Sequence, residues 1–210
     1  MYTNRADAGR QLALRLAGRE FHDALVVSIP RGGVEVGAEL AAALRLPLDI
    51  IIPRKIGAPF NPELAIGAVT QDGTAIFNDR LVAQVGLAEE DKEKLVAGTV
   101  AEINRRMCLY RGDRPPVSLA GREIILTDDG IATGYTVLAA LRSIRKSGPE
   151  RIILAVPVAP EETIETLLPD VDEMVCLSMP YDFMAVGQFY LNFKQTTDAE
   201  VIDLLRKNYR

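Results

Sequence analysis

The chain has 210 residues, 48% hydrophobic and 25% charged, enough for one sizeable core, so a single domain over 1–210 is expected rather than two. Its 24 Lys and Arg against 29 Asp and Glu leave a formal charge of −5, which argues against a general basic field for nucleic acid or an anionic membrane and makes any phosphate site a local one. The widely separated Cys108 and Cys176 match no metal-ligand spacing or disulfide scaffold, and no segment nears the roughly 20 apolar residues that span a bilayer, so a soluble, unexported, cytoplasmic protein is expected.

Asn4 to Leu16 spaces Leu12, Leu16 and alanines as one face of an amphipathic helix that Gly18 stops. Ala24 to Ile29 is a short apolar run with β-branched residues, followed by Pro30, Arg31, Gly32 and Gly33 and then an alanine-rich helix from Val34 to Leu44: strand, loop, helix. Leu48 to Ile52 repeats the buried-strand pattern. The next segment, PRKIGAPFNPE, holds three prolines and a glycine and reads as a long loop. Leu64 to Val69 and Thr74 to Phe77 flank Asp72-Gly73, a hairpin signal.

From Leu87 to Tyr110 a charged run leads into a long helix ended by Gly112, within an insertion of about residues 80 to 112. Strand Glu123 to Thr127, helix Tyr135 to Lys146, strand Arg151 to Val156, helix Glu161 to Leu168 and strand Glu173 to Leu177 follow, and Asp198 to Arg206 reads as a terminal helix. Apolar strands alternating with helices specify an α/β fold with a doubly wound, mostly parallel sheet, whose ligands bind at the carboxyl ends of the strands. Met174 and Cys176 read as core, and His22 has no partner in any motif.

The chemistry concentrates in EIILTDDGIATGYT. A buried strand ends on two adjacent carboxylates, Asp128 and Asp129, and a loop of small residues runs into a helix N-terminus. Gly130, Ile131, Ala132, Thr133, Gly134 and Thr136 supply small side chains, two hydroxyls and backbone donors beside the positive end of a helix, a cradle for phosphate. The two acids would repel a phosphate unless they face hydroxyl groups or a hydrated cation, and a phosphorylated sugar with Mg²⁺ satisfies both.

This segment resembles the PRPP (5-phosphoribosyl-1-pyrophosphate) motif of the type I phosphoribosyltransferases, whose fold has the strand and helix order given above. The resemblance implies that Asp128 and Asp129 hold the ribose 2′ and 3′ hydroxyls, meeting Mg²⁺ only through PRPP and water, while Gly130 to Thr136 wrap the 5′-phosphate. It implies that Arg31, Gly32 and Gly33 lie beside the pyrophosphate, in a loop that in relatives often holds a cis peptide. It also likens Arg54 and Lys55 to a mobile catalytic loop of adenine-type members, with Glu63 as a candidate acid or base. Ala132 stands where members that use 6-oxopurines usually have an acid.

A small hood over the base would come from about residues 1 to 20 and 178 to 197, with Tyr181, Phe183 and Tyr190 as candidate base-side residues. The expected activity is transfer of phosphoribose from Mg²⁺·PRPP to a base or other small nucleophile, with release of pyrophosphate; relatives are often homodimers. Two other readings stay open: a PRPP-sensing regulatory protein without turnover, and an unrelated hydrolase or kinase using the acids as metal ligands. The last lacks a Walker lysine and a nucleophile elbow.

Overall fold

A computed structural model describes residues 1–208 and gathers the apolar runs into two sheets. The larger contains β1 (Leu25–Ser28), β2 (Leu48–Ile50), β6 (Glu123–Thr127), β7 (Arg151–Val158) and β8 (Glu173–Ser178), all parallel, in the order β2-β1-β6-β7-β8. The smaller is antiparallel and contains β3 (Arg54–Ala58), β4 (Asn61–Val69) and β5 (Ala75–Phe77).

Alternation along the parallel strands divides the core in two. Val26, Ile50, Ile125, Ile153 and Val175 face one side, where they meet α1 (Arg5–Leu16) and α2 (Gly32–Leu44) through Leu12, Leu16 and Leu40, and α7 (Asp198–Asn208) through Val201 and Leu205. Leu25, Val27, Ile124, Leu126, Ile152 and Leu154 face the other, against Val137, Leu141 and Ile144 of α5 (Tyr135–Lys146) and Ile164 and Leu167 of α6 (Glu161–Leu167). Each fully buried Leu or Ile here contributes about 1.5–3 kcal/mol. Helices on both faces make the sheet doubly wound, as the alternation of elements predicts. Strand order reverses between β1 and β6, so a crevice opens at their carboxyl ends, where ligands bind in open α/β sheets.

One expectation needs correction. PRKIGAPFNPE is a hairpin arm and not a long loop: β3 pairs with β4 from Arg54↔Val69 to Ala58↔Asn61, and only the tip at Pro59 and Phe60 is a turn. The prolines are tolerated by position. Pro53 precedes β3, Pro59 lies at the tip, and Pro62 sits in the part of β4 that β5, paired only from Gly67 to Val69, does not reach. The register slips on both sides of Gly57, where a side chain would meet the Pro62 carbonyl oxygen at 2.5 Å. The Asp72-Gly73 hairpin forms as expected between β4 and β5.

The insertion is two helices, α3 (Asp79–Val85) and α4 (Glu89–Arg111), separated at Gly86, whose φ of 67° lies in the left-handed region. Ahead of α1, Tyr2 and Thr3 pair with residues 189–192, which lie between β8 and α7: Tyr2 N–H donates to Phe189 O at 2.8 Å, and Leu191 N–H to Tyr2 O at 2.9 Å. The Tyr2 hydroxyl donates to Pro157 O at the end of β7, fastening this strap to the large sheet.

Candidate functional site at the strand crossover

The loops after β1 and β6 converge because their strands are neighbours, with Ser28 opposite Thr127 in register. After β1 the chain passes through a cis Pro30–Arg31 peptide bond into α2; after β6 it passes the acid pair and enters α5. Neither helix start is capped by a side chain, so two sets of first-turn N–H groups face one crevice.

Glycines permit the convergence. A Cβ on Gly32 would lie 2.0 Å from Asp129 Oδ2, and one on Gly33 would lie 2.8 Å from both the Cα and Oδ1 of Asp128. Gly32 and Gly33 are therefore packed against the two carboxylates, across about 100 residues of sequence. On the other loop, a side chain at Gly130 would strike Val186 at 2.6 Å, and Gly134, with φ of 76°, is the residue just before α5. Ile131 is buried and its N–H donates to Val158 O, while Ala132 O accepts from the Thr163 hydroxyl at 2.7 Å. These contacts pin the loop at its middle; Ala132 and Thr133 stay exposed, and Thr136 is half-buried in the first turn of α5.

The acids differ in their partners. Asp128 Oδ1 accepts from the Asp129 N–H at 2.8 Å. Burial and the adjacent Asp129 carboxylate push the Asp128 carboxyl well above its ordinary range. Burial also raises Asp129, against the opposing pull of the Arg5 guanidinium. Arg5 Nε donates to Asp129 Oδ2 at 2.7 Å, and the Tyr190 hydroxyl donates to the Asp129 carbonyl at 2.6 Å. Sequence reasoning missed Arg5. Nothing local marks an arginine 124 residues away, beyond its being a cation at the start of a helix, where the helix dipole disfavours it.

The remaining expected residues are distributed as follows. Arg31 Nη1 lies 3.7 Å from Asp198 Oδ1, which also accepts from the Tyr110 hydroxyl. Arg54 Nη1 donates to Glu102 Oε1 on α4 at 2.8 Å, turning this guanidinium towards the helical insertion. Lys55 and Glu63 are exposed on the two arms of the hairpin.

Tyr181 and Phe183 line a cleft of about 530 Å³ with Ala132, Thr133, Pro160 and Met184. Tyr190 does not line it. Its ring is 6% exposed, packed against Tyr2 and Phe193 with centroids 5.3 and 5.1 Å away, so it supports the acid loop from below. Among the described residues, no group of three or more His, Cys, Asp or Glu side chains is placed to hold a metal ion. No helix among them is long and apolar enough to cross a membrane.

Comparison with known proteins adds an independent observation. The profile of the phosphoribosyl transferase domain family matches residues 2–194. A provisionally named phosphoribosyl transferase of Mycobacterium tuberculosis, Rv0571c, is 41% identical over 210 residues, covering 100% of this chain and 47% of that protein. The chain thus spans about half the length of the curated relatives it matches. The crystal structure of TT1426 from Thermus thermophilus superposes with a TM-score of 0.85 at 38% identity, covering 100% of this chain and 99% of that one.

Proposed function

The chain belongs to the phosphoribosyl transferase domain family, and on that premise we propose that it binds PRPP with Mg²⁺ and transfers the phosphoribosyl group to a small nucleophile, releasing pyrophosphate. The observation that carries the proposal is the contact of Gly32 and Gly33 with Asp129 and Asp128, which puts a loop of backbone donors against a pair of acceptors. A sugar bearing both hydroxyls and a pyrophosphate needs both in one crevice.

In this reading Asp128 and Asp129 accept hydrogen bonds from the ribose 2′ and 3′ hydroxyls, and their charge favours an oxocarbenium-like centre at the anomeric carbon. The first-turn N–H groups of α5, with Thr133 and Thr136, bind the 5′-phosphate; Arg31 and the start of α2 receive the leaving pyrophosphate. Lys55, carried on the β3 arm, would add positive charge to the leaving group, and Arg54 would do so once released from Glu102. Glu63 is the candidate proton acceptor on the opposing arm.

The donor set fits a cation that arrives on the substrate's phosphates better than a protein-held one, since Mg²⁺ keeps waters and takes few carboxylates. When bound, it would neutralise charge on the departing pyrophosphate. The nucleophile's place is the cleft beside Ala132, between Pro160 and the side chains of Tyr181 and Phe183.

Calorimetry with PRPP and Mg²⁺ tests the site. Wild type should bind, and an Asp128→Asn, Asp129→Asn double variant should lose at least about 100-fold in affinity; equal binding by both would overturn it. The engagement of Arg54 by Glu102 also favours a second reading, a PRPP sensor that does not turn over. Pyrophosphate release across a panel of bases and amines separates the two.

A further inference from the structure

Arg5 is only 6% exposed, although taking a charge out of water is costly and a buried ion pair is weak as a source of stability. It is the first residue of α1, whose start Asn4 already caps by accepting from Asp7 N–H, so the helix itself gains nothing from a cation there. What Arg5 does have is a set of partners from three parts of the chain. Its Nε donates to Asp129 Oδ2 at 2.7 Å, and its Nη1 donates to Lys194 O at 2.6 Å and lies 3.7 Å from Glu35 Oε1. The guanidinium carbon sits 3.9 Å from the centre of the Phe193 ring. Glu35 is held in turn by the Thr196 hydroxyl.

We infer that Arg5 is a positioning residue for the acid pair, setting the orientation of the Asp129 carboxylate and tying it to the segment 193–196. The inference rests on the reading that Asp129 meets the ribose. Asp129 is gripped at both ends from outside its own loop, its carboxylate by Arg5 and its carbonyl by Tyr190. Gly32 fixes the plane of the contact, because a side chain there would stand 2.0 Å from Asp129 Oδ2 and 2.6 Å from Arg5 Nε together. The ion pair therefore lies against the backbone of the pyrophosphate-side loop and cannot turn without moving it. Glu35, one turn into α2, completes the link between that loop and the guanidinium. A carboxylate held in this way presents one fixed edge to the crevice, and small displacements of such a group cost affinity steeply.

The test compares wild type, Arg5→Gln and Arg5→Lys in three measurements: thermal unfolding, calorimetric affinity for PRPP with Mg²⁺, and the ¹³Cγ signal of Asp129 in the ligand-free protein, assigned with Asp129→Asn. Arg5→Gln should shift the Asp129 signal and weaken PRPP at least about tenfold in protein that is still folded at the assay temperature. Arg5→Lys keeps the charge without the planar fork and should fall between Gln and wild type in both. A merely structural role would lower the melting temperature of both variants and leave the PRPP affinity of the folded protein where it was. Unchanged affinity in folded Arg5→Gln overturns the inference, and so does an unmoved Asp129 signal. If wild type itself binds no PRPP, the proposed function fails instead, and the Asp129 signal still decides whether Arg5 holds that carboxylate.

Discussion

The loops after β1 and β6 and the β3–β4 hairpin carry similar charged and glycine residues in opposite settings. At the crossover, Gly32 and Gly33 lie against Asp129 and Asp128, Ile131 is buried, and Asp129 is engaged by Arg5 and Tyr190. On the hairpin, Lys55 and Glu63 are exposed, Phe60 at the tip is 95% exposed, and Arg54 is drawn to Glu102. The first region is built in advance of its ligand. The second holds Lys55 and Glu63 in water and Arg54 on the helical insertion, and under the proposed function such a segment would serve turnover more than binding.

The sharpest way to break that contrast is to overfill the rigid region. Gly33→Ala would put a methyl 2.8 Å from the Cα of Asp128, where backbone and not a flexible tip must yield. We expect a loss of about 1–3 kcal/mol in stability and at least about 100-fold in PRPP affinity, read by denaturant unfolding and calorimetry. The hairpin should answer differently. Lys55→Ala is expected to leave unfolding unchanged and PRPP affinity within about threefold, while pyrophosphate release falls about 10²–10³-fold. Equal loss of affinity and rate would mean that the hairpin is part of the resting site.

How much of each region could be read from the sequence follows from the same difference. The crossover was legible because its features are local: an apolar strand, two acids, small residues and a helix start lie within Glu123 to Thr136, and the order of elements places that segment beside Arg31 to Gly33. The β3 arm was hidden because proline density outweighed an alternation that only pairing reveals; Ile56 is buried, but it stands alone between Lys55 and Gly57, whereas Leu64 to Val69 on the other arm is a legible apolar run. The hood expected from about residues 1 to 20 and 178 to 197 brings the two ends of the strap into one region, but neither the pairing of residues 2–3 with 189–192 nor the contact of Arg5 with Asp129 was legible, since each joins positions more than 100 residues apart and nothing around Tyr2 to Arg5 marks a partner. Tyr190 was one of five aromatics in a segment without a clean period, and only packing shows that it lies beneath the acid loop.

Preorganisation at the crossover should also appear as a stability cost that depends on pH. The Asp128 carboxyl is raised in the folded protein by burial and by Asp129, so folding favours its protonated form. That contribution is present at low pH and is lost as pH rises from the ordinary carboxylate range through the raised value. Asp128→Asn can keep the acceptor used by the Asp129 N–H and carries no charge. It should gain on wild type as pH rises towards 8, by about 1.4 kcal/mol for each unit by which the carboxyl is raised, while losing PRPP. Unfolding at pH 4 and pH 8 checks the sign, and a stability difference between variant and wild type that is the same at both pH values, or that moves in favour of wild type at pH 8, would contradict it.

The smallest effect concerns what holds the hairpin's arginine at rest. The Arg105 guanidinium, helped by Arg106 and Arg54, draws the Glu102 carboxyl down to about 2, so Glu102 stays ionised at any physiological pH. It therefore competes for Arg54 with any pyrophosphate in the crevice. Glu102 is half-buried on α4, one-third of its side chain in water, and its ion pairs are screened there, so Glu102→Gln should lower the melting temperature little. Releasing Arg54 should tighten product inhibition by pyrophosphate roughly two- to threefold, the scale of one exposed ion pair, and Arg54→Ala in the same background should remove the gain. If pyrophosphate inhibition is identical in all three proteins, Arg54 belongs permanently to the helical insertion, and the charge delivered by the hairpin is that of Lys55 alone.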